Sequence, residues 1–285
     1  MKDLSFKTFL PHLIAIGIFL LIIFAYFKPV FLDKKELRQG DIVNFRGMSK
    51  EIVDHREKYK EEAMWTNSMF GGMPAYQISV LYKGNLVRYA DSVFTLSLPR
   101  PANYVFLYMI GFYILLMVLG VDQKIGIVGA VGFGLSSYFF IILEAGHNSK
   151  AHAIGYMAPV FAGILLAYRG KWLLGGVLTA LFLSLELYAN HPQITYYLFL
   201  FVLIYGIAEL TNAFRQKKIM DFVKASAVTG IAVMLALATN ITSLWATYDY
   251  GKYTTRGGTE LTIGESGKPN ADDKTKKGLD PSYIT

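Results

Sequence analysis

The sequence predicts an all-α integral membrane protein of about seven transmembrane helices, whose first outer loop carries amphipathic helices. Three observations predict it. Of 285 residues, 53% are hydrophobic and only 17% charged, against about 25% charged in ordinary soluble chains. One soluble core cannot bury so much apolar surface. Seven runs approach the roughly 20 mostly apolar residues that cross a bilayer, and Lys and Arg gather in alternate connections between them. This composition excludes a disordered, collagen-like or disulfide-stapled chain. The absence of Cys removes dithiol chemistry and thiolate metal sites. The net charge of +7 reads as loop bias in a membrane protein rather than as a nucleic-acid footprint.

The first run spans about Phe9 to Leu32. It has no small-x-small cleavage site and is longer than a signal core, so it reads as an uncleaved span. The others are Asn103–Val121, Ile125–Glu144, Ala153–Tyr168, Trp172–Ala189, Ile194–Leu210 and Phe222 to about Trp245. In the third span Gly126, Ala130 and Gly134 recur every four residues, a stripe that lets a neighbouring helix approach closely. Short links make spans two to seven antiparallel neighbours. The chain therefore divides into a tail and first span (1–32), an outer loop (33–102), a six-helix bundle (103–246) and a polar outer segment (247–285) that stops in mid-loop. That ending reads as the N-terminal portion of something longer.

Orientation follows from the short loops. With a cytoplasmic N-terminus, the inner side holds Lys2, Lys7, Lys124, Arg169, Lys171, Arg215, Lys217 and Lys218, against Lys150 alone in the short outer loops. In the long loop the apolar positions Ile42, Phe45, Met48, Ile52, Tyr59 and Ala63 recur at roughly helical spacing among charges. They predict one or two surface helices, with Asp41 as N-cap, before Phe70-Gly-Gly-Met-Pro74 breaks the pattern.

Ionisable groups in spans are functional candidates, and here they crowd the outer ends. Glu144 closes span three, Glu186 lies a turn below the end of span five, and the outer loops add His147, Asn148, Lys150, His152, Asn190 and His191. Asn148 or Ser149 can cap span four; Asn190 or His191 can cap span six, with Pro192 in its first turn. Free N–H groups at such a helix start, with Lys150, His147 and His152 beside them, suit a lipid phosphate. The alternative for each residue singly is an interfacial side chain reaching water. The three His match no standard zinc spacing, so no metal ligand is assigned, although a divalent metal stays open. No phosphate-cradling Gly-rich loop or dinucleotide fingerprint occurs. Asn240-Ile-Thr242 has the form of a glycosylation sequon but lies in an apolar run.

The stretch Gly40-Asp41, then Met64-Trp-Thr-Asn-Ser-Met-Phe-Gly-Gly-Met-Pro74, resembles the bacterial YfhO-like membrane proteins, which carry a Trp-Asn-Pro-x-x-Phe-Gly-Gly-Met-Pro-like segment in the first outer loop. Trp65-Thr-Asn-Ser departs from that pattern. Glu144-Ala-Gly-His-Asn-Ser-Lys150 and Tyr188-Ala-Asn-His-Pro-Gln193 resemble the family's later outer loops. The family is similar to GT-C glycosyltransferases. The resemblance implies a GT-C-like fold in the bacterial cytoplasmic membrane and an active site on its outer face. It also implies a polyprenyl-phosphate sugar donor, a cell-envelope glycan or glycolipid acceptor, no nucleic acid partner, and an acidic catalytic base in the first outer loop. Asp41 is the matching position. Lys150, His147 and His152 would then hold the donor phosphate, and Glu144, Glu186, His191 and Asn190 would line the acceptor or sugar pocket, with no cofactor beyond the lipid-linked donor. A lipid or polysaccharide transporter or flippase, and a non-catalytic envelope assembly factor, are the alternatives.

Overall fold

The computed structural model describes residues 6–254, so the polar segment from 255 onward lies outside the described residues. Helices make up nearly all of its regular structure. They are α1 (Phe6–Tyr26), α2 (Lys28–Phe31), α3 (Gly40–Tyr59), α4 (Val87–Phe94), α5 (Ala102–Leu119), α6 (Gln123–Gly134), α7 (Ser137–Ala145), α8 (Asn148–Tyr168), α9 (Trp172–Tyr188), α10 (Pro192–Gln216), α11 (Ile219–Thr239) and α12 (Ile241–Gly251). Two short strands, β1 (Trp65–Thr66) and β2 (Met73–Pro74), pair antiparallel. Six stretches are long and apolar enough to cross a membrane: Phe9–Tyr26, α5, the α6–α7 stretch Gln123–Ala145, α8, α10 and α11. The chain is a multi-pass, all-α membrane protein. The remaining apolar run is α9, a shorter helix of 17 residues.

The described residues divide into two units. One holds the residues up to Lys50 together with Leu81–Asn240; the other holds Glu51–Val80 together with the residues from Ile241 on. The division falls inside the loop read from the sequence at 33–102, and α3 runs across it.

In the first unit α8 is the central helix. Buried residues fill 67% of its apolar stretch, against 11% for α10 and 17% for α11, so the last two present their apolar sides to lipid. One cluster joins Ala15, Phe19 and Ile23 of α1 to Tyr108, Met109 and Tyr113 of α5 and to Phe139 and Leu143 of α7. A second joins Tyr156, Val160 and Ile164 of α8 to Phe182 and Leu185 of α9, and takes in Phe94 of α4. Lipid tails are as apolar as these side chains, so contact is won by close packing rather than by water exclusion. The small-residue stripe supplies it: Gly126, Ala130 and Gly134 are all buried, facing Met117 and Met109 of α5.

The second unit is organised by the Phe70-Gly-Gly-Met-Pro74 motif. Gly71 (φ +74°) and Gly72 (φ +126°) turn the chain so that Met73–Pro74 pairs back on Trp65–Thr66. A side chain at Gly72 would strike the Trp65 indole, 2.8 Å from its Nε1. Glu51, in α3, closes the turn by accepting from Thr66 Oγ1 (2.6 Å) and from the backbone N–H of Asn67 and Ser68. Those bonds hold its carboxyl below the usual range, the Thr66 hydroxyl contributing most.

Several expectations need correction. Span three is not one helix: Ser136 is extended (φ −59°, ψ 135°) between α6 and α7, where Gly134 and the Ser136–Ser137 pair are weak helix formers. Span seven ends at Thr239 rather than near Trp245, and Asn240 caps it. Asp41 is the second residue of α3, inside the helix that begins at Gly40, and not its N-cap. Helix α8 begins with Asn148, after His147 at the cap position without a side-chain bond, so neither Asn148 nor Ser149 caps it.

Candidate functional site

The first unit gathers its polar groups at one end of the bundle, where α1 leaves through α2 and where α5, α8 and α10 begin. The loop after α2 enters there and is pinned by a buried amide pair. Gln39 Nε2 donates to Asn148 Oδ1 (3.1 Å) and to the carbonyl of Leu143, while Asn148 Nδ2 donates back to Gln39 Oε1 (3.3 Å). Both side chains are buried, so they must be paired with one another to be tolerated.

Gly146 makes the approach possible. It ends α7 in the left-handed region (φ +97°), and a Cβ there would lie 3.1 Å from Asp41 Cβ and 3.2 Å from Gln39 Cβ. The start of α3 therefore lies directly on the α7–α8 turn. The consequence is that Asp41 Oδ2 stands 3.1 Å from His147 Nε2, with side chains 58% and 47% exposed. Two groups identified separately in the sequence are thus brought into one acid–base pair open to solvent.

His152 points elsewhere. Its Nε2 lies 2.5 Å from Asp91 Oδ1, which also accepts from the Tyr156 hydroxyl at 2.7 Å. The His152 and Asp91 side chains are only 13% and 18% exposed. Burial alone would raise the Asp91 carboxyl, but His152, Tyr156 and the charge of Arg100 outweigh it, and the group sits below the usual aspartate range. Asp91 was missed in the sequence. Helix α4 buries Val87, Ala90 and Phe94 against the second cluster, and that i, i+3, i+7 spacing puts Asp91, next to Ala90 and one turn before Phe94, beside a packed face. Such a spacing was the available signal.

The remaining candidates are placed as follows. Lys150 Nζ lies over the Tyr138 ring, 5.4 Å from its centroid. His191 precedes α10 as its cap residue, without a side-chain cap bond, and Pro192 takes the first helical position. Its imidazole is held below the usual range, by burial first. His191 Nδ1 is buried without a hydrogen bond. Asn190 is exposed in the left-handed conformation (φ 55°), which Asn tolerates better than most residues. Glu144 is exposed at the end of α7. Glu186 is fully buried and accepts from the Thr195 hydroxyl through both oxygens at 3.0 Å. A further polar seam ties α9 to α11: Asn240 Nδ2 donates to Ser184 O (3.0 Å), and Asn240 Oδ1 accepts from Asn85 (3.2 Å). Among the described residues no three His, Asp or Glu side chains converge as metal ligands.

Beside the pinned loop opens a cleft of about 620 Å³. Gln39 and Asn148 form part of its wall. Lys34, Lys35, Arg38, Arg46 and Arg100 line it against a single carboxylate, Glu36. None of the five cations was singled out in the sequence. Comparison of the chain with protein-family models, with curated proteins and with solved structures finds no match.

Proposed function

We propose that the chain is a membrane glycosyltransferase of the GT-C type in the bacterial cytoplasmic membrane. It moves a sugar from a polyprenyl-phosphate donor to a cell-envelope glycan or glycolipid at the outer face, with the N-terminus in the cytoplasm. The observation that carries the reading is the Asp41–His147 pair, 3.1 Å apart and open to solvent at the end of the helices, where a lipid-borne donor and a water-borne acceptor can meet. The family resemblance of the Gly40-Asp41 and Phe70–Pro74 segments supports it.

The chemistry asked of the pair is modest. With Nε2 protonated, His147 donates to Asp41 Oδ2 and fixes the carboxylate, leaving Oδ1 to accept the proton of the acceptor hydroxyl. The acceptor's hydroxyl oxygen, its proton passing to Oδ1, bonds to the anomeric carbon as the bond from that carbon to the donor phosphate oxygen breaks, and the phosphate leaves with the electron pair. A positioned base typically contributes about 10²–10⁴-fold. In this reading Lys150 is a ligand of the donor phosphate and His191 a residue of the acceptor or sugar pocket.

The test is Asp41→Asn, which keeps size but removes the base. Sugar transfer in membranes carrying the variant should fall by about 10²-fold or more, with expression and donor binding retained. Near-normal transfer would end the assignment of Asp41 as base.

A further inference from the structure

The basic cleft has no role in the proton transfer above, yet it is the densest group of cations at that end of the bundle. Two of its five cations are already answered. Arg46 donates to Glu36 at 2.6 Å, and Lys35 pairs with Asp33 at 3.4 Å outside the lining. Lys34, Arg38 and Arg100 form no ion pair with any described residue. The charge of Arg100 helps to lower the Asp91 carboxyl, but that carboxylate is already engaged by His152 and Tyr156. Three cations without an ion-pair partner among the described residues therefore face one concave space. Cations dispersed over a convex surface are solvated separately, whereas cations around a cleft focus their field into it.

The shape limits what can enter. A volume near 620 Å³ suits a headgroup and not a polymer strand. The planar guanidinium fork of arginine favours oxyanions that accept two hydrogen bonds at once, phosphate among them. Three unanswered charges exceed what a carboxylate or a singly charged phosphodiester would balance. Val30, Ile42 and Val43 make part of the wall apolar, and Val30 belongs to α2, immediately after the first span. A ligand can thus keep its anionic end on the arginines and its chain along the helix that enters the membrane.

We infer that this cleft is a binding site for a phosphomonoester or diphosphate group, carried on a lipid or free in solution, with Lys34, Arg38 and Arg100 as its principal ligands. The assignment stands on the cleft alone and holds whether or not sugar transfer occurs.

The test uses the full chain in phosphatidylcholine nanodiscs. Phosphatidic acid, a phosphomonoester lipid, is compared with phosphatidylglycerol, a phosphodiester, and inorganic pyrophosphate is titrated calorimetrically. Phosphatidic acid should be retained about ten-fold better than phosphatidylglycerol, and Lys34→Gln/Arg38→Gln should weaken it by about ten-fold or more, since a hydrogen bond to a charged group is worth roughly 1.5–3 kcal/mol. Lys217→Gln, at the end of α10, should change nothing. Pyrophosphate binding that the double variant weakens marks the phosphate group itself as sufficient, while phosphatidic acid binding without pyrophosphate binding marks the lipid as the source. Both outcomes support the site. Equal retention of the two lipids, or binding indifferent to the double variant and to Arg100→Gln, overturns it. Unchanged thermal unfolding of the variants separates loss of the site from loss of the fold.

Discussion

Asp91 and His152 are 61 positions apart in the chain and meet at 2.5 Å. One sits on a short helix in the long loop and the other in the first turns of the central helix. The pair, completed by the Tyr156 hydroxyl, straps α4 onto the end of the bundle. Asp91→Ala leaves a buried imidazole and a buried hydroxyl without their acceptor, at a cost of about 2–3 kcal/mol. Thermal unfolding in detergent should drop clearly, and by much less for Asp91→Asn, which can still accept from both.

The same pair sets an acid limit. The folded carboxyl of Asp91 lies below its ordinary value, so the unfolded chain binds its proton first. Its contribution is fully present above the ordinary aspartate pKa of about 3.9 and is lost as pH falls through the lower folded value. Proteolysis within α4 should accelerate at acid pH in the native protein. In Asp91→Asn that pH dependence should be absent; a retained acid step would assign it to another group.

Gly146 tests the mounting of the candidate base. Gly146→Ala must hold an L residue at φ +97° and bring its Cβ within 3.1–3.3 Å of Asp41 and Gln39. Backbone strain of this kind costs about 1–3 kcal/mol. Lower thermal stability and lost sugar transfer are expected together. Gly17→Ala, whose Cβ would meet nothing within 4 Å, should be neutral in both measurements.

The buried amides should behave as one unit. Gln39→Ala and Asn148→Ala each leave a buried amide without its partner, so each should cost about 1–3 kcal/mol. The double variant should cost less than their sum, because the second change removes the group that the first left unsatisfied. Additive losses in a double-mutant cycle would mean the pair is not coupled.

Orientation is checked by cysteine labelling in intact cells. Gln193→Cys, at the start of α10, should react with an impermeant reagent from outside, and Lys217→Cys, at its other end, only after lysis. The reverse result would invert the basic-residue reading and move the Asp41–His147 pair to the cytoplasmic side.

Composition and period located the apolar stretches, although several ends moved by five or six residues and span three divided at Ser136, because a segment facing lipid must be apolar along its whole length and close its own backbone hydrogen bonds. The stripe at Gly126, Ala130 and Gly134 was legible for the same local reason. Asp41 and His147 were each visible as polar residues at the ends of apolar runs, but their meeting at 3.1 Å was not. It depends on Gly146 and on two amides 109 positions apart.

What the chain decides by itself is which segments lie in the membrane, because that choice is a sum over neighbouring residues. What only the tertiary structure decides is which polar groups share a site. The Asp41–His147 pair, the Asp91–His152 strap and the five-cation cleft all join distant residues by packing between helices and loops. Packing selects among many contacts of nearly equal local merit, so sequence spacing can mark a packed face, as beside Asp91, but not the partner it meets.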